Sequence, residues 1–262
     1  MLRSSFFSTL DNGSFVSNEA TVGPWSPNAQ HGGPPCALLI DEMIRHSQGD
    51  GRDVAKVAIE FLRPVPLGQV EVKVSEVREG YKISLIEGEL YVDGMLALTA
   101  RMWWRRGELG RSPEVISDPN ELSNAIDISQ IQPAPLIEFP YISNIEWRFE
   151  AGGFYELGDA RVHCTPKIPL IDVRDANGIS EMILMLDSAN GLSQVLPIGK
   201  WTFVPIDMMV SIFSMPNASE PFTLDAKSEI SDSGGGITRC TVSQNGRLIA
   251  RSLQSLYVEA RK

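Results

Sequence analysis

The sequence predicts an α+β protein in which one helix-plus-antiparallel-sheet unit is written twice. Two strand-rich blocks, a hairpin dipeptide at the same place in each, and a helical stretch before each carry that prediction. The first block runs from Lys56 to Trp104 and the second from Val204 to about Tyr257. Val70-Glu71-Val72-Lys73-Val74-Ser75-Glu76-Val77 alternates apolar and polar residues, the period of a half-buried strand. Arg78-Glu79-Gly80-Tyr81 turns the chain, and Ile83 to Val92 alternates again. Asp93-Gly94 then closes a hairpin, because glycine accepts the positive φ of a type I′ turn, and Met95 to Trp104 is the returning strand. In the second block Leu224 to Ile230 matches Val72 to Arg78, and Asn245-Gly246 matches Asp93-Gly94. Arg247 to Arg251 likewise matches Met95 to Thr99. From Val72 onward the offset is a constant 152 residues, Val72 to Leu224 and Asp93 to Asn245 alike. Val204 to Met208 echoes Val57 to Phe61. A repeat of this length fits a duplicated domain, not a solenoid.

Pro34 to Arg45 reads as the first helix. Leu38, Leu39, Met43 and Cys36 share a stripe, and prolines are tolerated in a first turn that needs no N–H from them. Ile179 to Val195 reads as the second, apolar nearly all round and therefore buried. Met182, Met185, Met208 and Met209 read as core. These elements divide the chain into a first module, 1–106, a Pro/Ser/Asp-rich linker, 107–140, and a second module, 141–262. Strand-like sequence from Ile142 to His163 opens the second copy as Ser14 to Pro24 opens the first.

Hydrophobic residues make up 43% and charged residues 21%, enough apolar material for a real core. A net charge of -10 speaks against nonspecific nucleic-acid binding, which needs a positive face, yet leaves room for an anionic ligand held by a few local cations. Cys36, Cys164 and Cys240 are odd in number and lack metal-ligand spacing, so reduced thiols are expected and no metal. No apolar run approaches the roughly 20 residues of a membrane span. The first ten residues lack the apolar core and cleavage site of a signal peptide. The expected compartment is the cytoplasm, with no membrane partner.

Three segments carry a family resemblance: Trp25-Ser26-Pro27-Asn28-Ala29-Gln30-His31-Gly32-Gly33, Phe61-Leu62-Arg63-Pro64-Val65-Pro66-Leu67-Gly68, and Arg78-Glu79-Gly80. HGG alone is a weak motif; HGG opening a helix and followed by the other two at these distances is far stronger. Together they resemble the acyl-CoA thioesterase family with two hotdog modules in one chain, over nearly the whole sequence. The resemblance implies a double hotdog, two helix-wrapped antiparallel sheets in tandem. It implies hydrolysis of acyl-CoA to free fatty acid and coenzyme A, with no cofactor, by a homo-oligomer. In the type II branch the site uses an acid on the second module's helix, a Thr on the following strand and a Gln on the last strand. Asp187 matches the acid and Gln254 the Gln; the Thr position falls on Pro205, which has no hydroxyl. Thr202 and Ser188 are the hydroxyls that could replace it.

The chemistry of these residues fits that implication. A thioester carbonyl gains negative charge during attack, and a helix N-terminus offers free N–H groups and a favourable dipole. His31-Gly32-Gly33 is therefore the candidate oxyanion and substrate cradle, the plain alternative being a Gly-Gly turn that only starts a helix. A carboxylate at Asp187, among Ile183-Leu184-Met185-Leu186, is costly to bury unless paired or functional. It is the candidate general base, with Gln254 orienting the water; alternatively Asp187 sits at the solvent edge of the helix or begins a turn with Ser188 and Asn190, and Gln254 is a half-buried strand residue. Arg63 and Arg78 are the candidates for coenzyme A phosphates. Asp207, paired by the repeat with Glu60, reads as structural. Asp41 stands ten residues after His31, where single-module relatives carry their acid one residue earlier. His46 and His163 read as surface or packing residues. Pro205 keeps open a noncatalytic acyl-CoA-binding protein. A hotdog dehydratase or hydratase would need a histidine paired with an acid in a loop that sets Asp and His five apart; Asp41 and His46 have that spacing but fall at the first helix, not in such a loop.

Overall fold

The computed structural model describes residues 4–47, 51–107, 128–134 and 139–261. The first half contains β1 (Phe7–Thr9), β2 (Phe15–Ser17), α1 (Gly33–His46), β3 (Asp53–Phe61), β4 (Gln69–Arg78), β5 (Ile83–Val92) and β6 (Met95–Arg105). The second contains α2 (Pro140–Ser143), β7 (Ile145–Ala151), β8 (Ala160–Pro166), α3 (Gly178–Leu186), α4 (Ala189–Leu192), β9 (Trp201–Ile212), β10 (Phe222–Ile230), β11 (Gly235–Gln244) and β12 (Arg247–Ala260). Much of the expected linker, 108–127 and 135–138, lies outside the described residues. None of the described helices is long and apolar enough to cross a membrane.

The strands form a double hotdog with the order β1-β2-β4-β5-β6-β3-β9-β12-β11-β10-β8-β7. Read outward from the β3–β9 junction, both halves follow the same order, so the duplication in the sequence is a duplication in space. The two expected sheets are joined edge to edge, because β3 and β9 pair antiparallel from Lys56↔Ser211 to Glu60↔Asp207. That junction uses up two edges that would otherwise stand open. Both hairpins turn as their dipeptides dictate, with φ of 47° and 80° at Asp93-Gly94 and 50° and 76° at Asn245-Gly246.

One face of the sheet covers the helices. Leu38, Leu39, Ile40 and Met43 of α1 are fully buried, as are Met182, Ile183, Leu184 and Met185 of α3. α1 packs on β4, β5 and β6 and against α3. Met208 joins this core, but Met209 does not: strand alternation turns it to the outer face, where it is 37% exposed. Cys36, Cys164 and Cys240 are buried free thiols.

Candidate active site

α1 and α3 pack side by side in opposite directions, and the start of α1 beside the end of α3 builds the site. The sequence predicts one helix from Ile179 to Val195; the structure breaks it after Leu186. The Leu184 carbonyl, which in a continuing helix would accept from the Ser188 N–H, instead accepts from the Tyr141 hydroxyl at 2.6 Å. The Ser188 N–H turns to the Met185 carbonyl at 3.1 Å, and α4 starts afresh. Asp187 therefore stands at the C-terminal end of α3, not inside an apolar helix. The negative end of that helix dipole disfavours a carboxylate there.

Across from it lies the loop that enters α1. His31 Nδ1 is 3.1 Å from Asp187 Oδ2, and both side chains are nearly buried. The Gly33 N–H points at the same junction, 3.1 Å from His31 Nδ1. It also helps hold the Asp187 carboxylate. The imidazole lies flat on the Tyr141 ring, with centroids 3.8 Å apart and planes 7° from parallel. Burial pushes Asp187 up to about 7, partly offset by the Gly33 N–H. Burial also lowers His31 to about 3. At neutral pH the imidazole is thus uncharged and Asp187 is poised near its midpoint. A single proton accounts for the contact, carried either by the carboxyl or by Nδ1.

The glycines serve this closeness. A Cβ at Gly32 would meet Asp187 Oδ2 at 2.7 Å and the Phe61 ring at 2.8 Å. One at Gly33 would strike the Leu184 carbonyl and come within 3.1 Å of the Tyr141 hydroxyl. Of the first-turn amides expected as a cradle, Gly33's is directed at the His31–Asp187 junction and those of Pro34 and Pro35 do not exist. Cys36 N–H is bonded to the Gly32 carbonyl at 3.1 Å. Among the described residues, the Gly32 N–H is left without a partner.

The pair opens on a cavity of about 720 Å³. His31, Gly32, Asp187 and Ser188 sit in its wall with Phe61, Phe139, Ile142, Phe154, Leu192 and Phe203. Arg63 lines it; Arg78 does not, lying instead over the Trp103 ring at 5.9 Å. Gln254 is fully buried behind Asp187 and is not part of the lining. Its Nε2 donates to the Asp187 main-chain carbonyl at 3.4 Å. Pro205, Thr202 and Ser188 all line the cavity. The Ser188 hydroxyl is 2.9 Å from the Tyr141 oxygen, and since Tyr141 gives its proton to Leu184, Ser188 is the donor.

Asp41 is not a second acid of this site. It accepts from Arg45 at 2.8 Å, from Arg174 at 3.2 Å and from Ser180 at 3.3 Å. Asp207 accepts from the Ser255 N–H at 2.7 Å, a structural role at the β12 bulge. His46 is exposed, and His163 packs between Thr223 at 2.8 Å and Glu150 at 2.5 Å. Among the described residues no cluster of metal-ligating side chains occurs.

Two residues escaped the sequence reading. Tyr141 drew no reading of its own, standing between the expected linker and the strand-like stretch from Ile142, and only the fold brings it beneath His31. Arg261 lines the cavity mouth with its guanidinium 5.0 Å above the Trp25 ring, a second cation beside Arg63. The histidine–acid pair was also unexpected, since its members come from different copies.

Residues 21–105 match the family model of an acyl-CoA thioesterase N-terminal domain, and residues 119–258 that of an acyl-CoA thioesterase C-terminal domain. Among curated proteins none matches the sequence significantly. Solved structures share the fold at low identity. A tesB protein of Mycobacterium avium subs paratuberculosis is 17% identical with a TM-score of 0.69, covering 97% of this chain and 96% of its own. A conserved hot dog protein of unknown function from Alicyclobacillus acidocaldarius is 14% identical with a TM-score of 0.72, covering 97% and 96%. An acyl-CoA thioesterase II from Mycobacterium marinum is 14% identical with a TM-score of 0.67, covering 98% and 95%.

Proposed function

Because the chain belongs to the acyl-CoA thioesterase family, we propose that it hydrolyses acyl-CoA to a free fatty acid and coenzyme A. The observation that carries this reading is the buried His31–Asp187 contact in the wall of a large apolar cavity. Asp187, poised near neutrality, accepts a proton as water attacks the thioester carbon. The new C–O bond places negative charge on the carbonyl oxygen, toward which the Gly32 N–H is the available donor. Collapse breaks the C–S bond, and the proton held by the pair goes to the leaving sulfur. His31 shares the proton with Asp187, and Tyr141 fixes the plane of its ring. Gln254 acts as a positioning residue, holding the end of α3 through the Asp187 carbonyl.

Arg63 and Arg261, at the mouth, receive the phosphates of coenzyme A. The buried free thiols fit work in the cytoplasm. The end strand β7 gives the sheet an edge through which copies of the chain associate, whereas the outer edge of β1 is taken by residues 169–172.

Thiol release from a panel of acyl-CoAs, short to long, tests the reading. Turnover of at least one chain length is expected. Binding with no thiol release at any length would overturn it. That outcome favours a noncatalytic acyl-CoA-binding protein, the reading that Pro205 in place of a hydroxyl supports. The family match weighs against dehydration, and so does the placing of Asp41 and His46, the Asp and His five apart, within α1 rather than in a loop, although a histidine–acid pair is present.

A further inference from the structure

Gly191 sits in α4 and lines the cavity. Even in a one-turn helix a glycine orders less readily than alanine, so its presence calls for a reason. Backbone geometry gives none, since Gly191 is not among the residues with positive φ. Packing gives none either, because a Cβ built there meets no atom within 4 Å. The other glycine in the cavity wall, Gly32, is crowded by Asp187 and Phe61. The space over Gly191 is therefore the cavity itself. Its neighbour Leu192 and the apolar Ile142 and Phe154 belong to the same lining and are buried or half-buried, whereas the cations Arg63 and Arg261 line it from exposed positions.

We propose that Gly191 is a specificity-determining residue, keeping open the branch of the cavity that takes the acyl chain. The substrate class that follows is an apolar acyl group long enough to pass α4, not an acetyl-like one. A short group would leave the wall formed by Ile142, Phe154 and Leu192 wet, which forfeits the burial that such a wall offers. This inference rests on the reading of the chain as a thioester hydrolase.

The test compares wild type, Gly191→Ala and Gly191→Leu on straight-chain acyl-CoAs from butyryl to palmitoyl, reading kcat/KM at each length. The leucine variant is expected to lose about tenfold or more on the longest chains, the worth of a few displaced methylenes, while butyryl turnover is kept. The alanine variant falls between, and its thermal midpoint equals or exceeds the wild type's because alanine suits a helix better. The ratio of long- to short-chain rates is internal to each variant, so a folding defect does not imitate the effect. An unchanged profile, or an equal loss at every length, overturns the inference. Absence of turnover in the wild type instead overturns the hydrolase reading itself.

Discussion

On one side of the helix pair, His31 meets Asp187 beside a cavity of about 720 Å³; on the other, Arg174 reaches Asp41 and Glu42, and a pocket of about 10 Å³ remains. The parts are alike. Each place lies where the loop entering one helix meets the far end of the other, and each holds a buried aspartate. Ala29 stands four residues before Gly33 and lines the open cavity, whereas Arg174 stands four residues before Gly178 and fills the small pocket. The filled side is balanced: Arg45, Arg174 and Ser180 satisfy Asp41. The open side is not, since Asp187 Oδ1 has no partner among the described residues. A carboxylate offset by two guanidiniums holds a structure together, while one left with a neutral imidazole can take up a proton near pH 7. The duplicated fold thus yields one acid satisfied by two guanidiniums and one left with an unpartnered oxygen beside the cavity.

Substitution of the two aspartates should break this comparison most sharply. Asp187→Asn is expected to lower kcat/KM by about 10²–10⁴-fold, the usual worth of a positioned base. Asp41→Asn should leave turnover per folded molecule within about twofold, because it faces Arg174 and not the cavity. Steady-state kinetics on proteins matched for folded fraction separates the two. Next, Ala29→Arg places in the open cavity the side chain that fills its counterpart. Most turnover should vanish while far-UV circular dichroism is unchanged; retained turnover would show that an arginine at this place does not close the open cavity.

Arg174→Ala asks the reverse question. Leaving Asp41 with Arg45 and Ser180 should cost roughly 2–3 kcal/mol of stability by urea unfolding, with no loss of activity in the folded protein. The smallest effect is in pH dependence of stability. Asp187 is raised from 3.8 to about 7 in the fold, so the folded state holds its proton more tightly than the unfolded chain. That stabilisation is present at pH below about 4 and is lost as pH rises through about 7. Asp187→Asn removes the loss, and its advantage over wild type should grow from pH 4 to pH 8 by a few kcal/mol at most. Paired melts at the two pH values measure it.

How much of this was legible in the sequence depends on distance along the chain. The hairpins at Asp93-Gly94 and Asn245-Gly246 and the strands around them follow from local period and turn chemistry, and the structure agrees to within a residue or two. α1 begins at Gly33 as the HGG-Pro-Pro run implies. A turn at Asp187, Ser188 and Asn190 was one of two readings open to the sequence, and the structure breaks the helix there; its cause was not legible, because it depends on a hydroxyl 43 residues away taking the Leu184 carbonyl. The fate of Asp41 was hidden for the same reason, since Arg174 is 133 residues distant. His31 and Asp187 were each singled out, but no local signal says that they touch. Arg78 and Arg63 looked equivalent as phosphate ligands; the fold puts only Arg63 at the cavity.

The central claim is that Asp187, held near neutrality beside His31, is the base that drives thioester hydrolysis. Thiol release from one well-turned-over acyl-CoA, followed between about pH 5 and pH 9 for wild type and Asp187→Asn, tests it directly. The account predicts a wild-type kcat/KM that rises with pH and levels off above about 7, against a rate at least a hundredfold lower and without that inflection in Asp187→Asn. The same rising limb in both proteins, or a variant that keeps the wild-type rate, would contradict it.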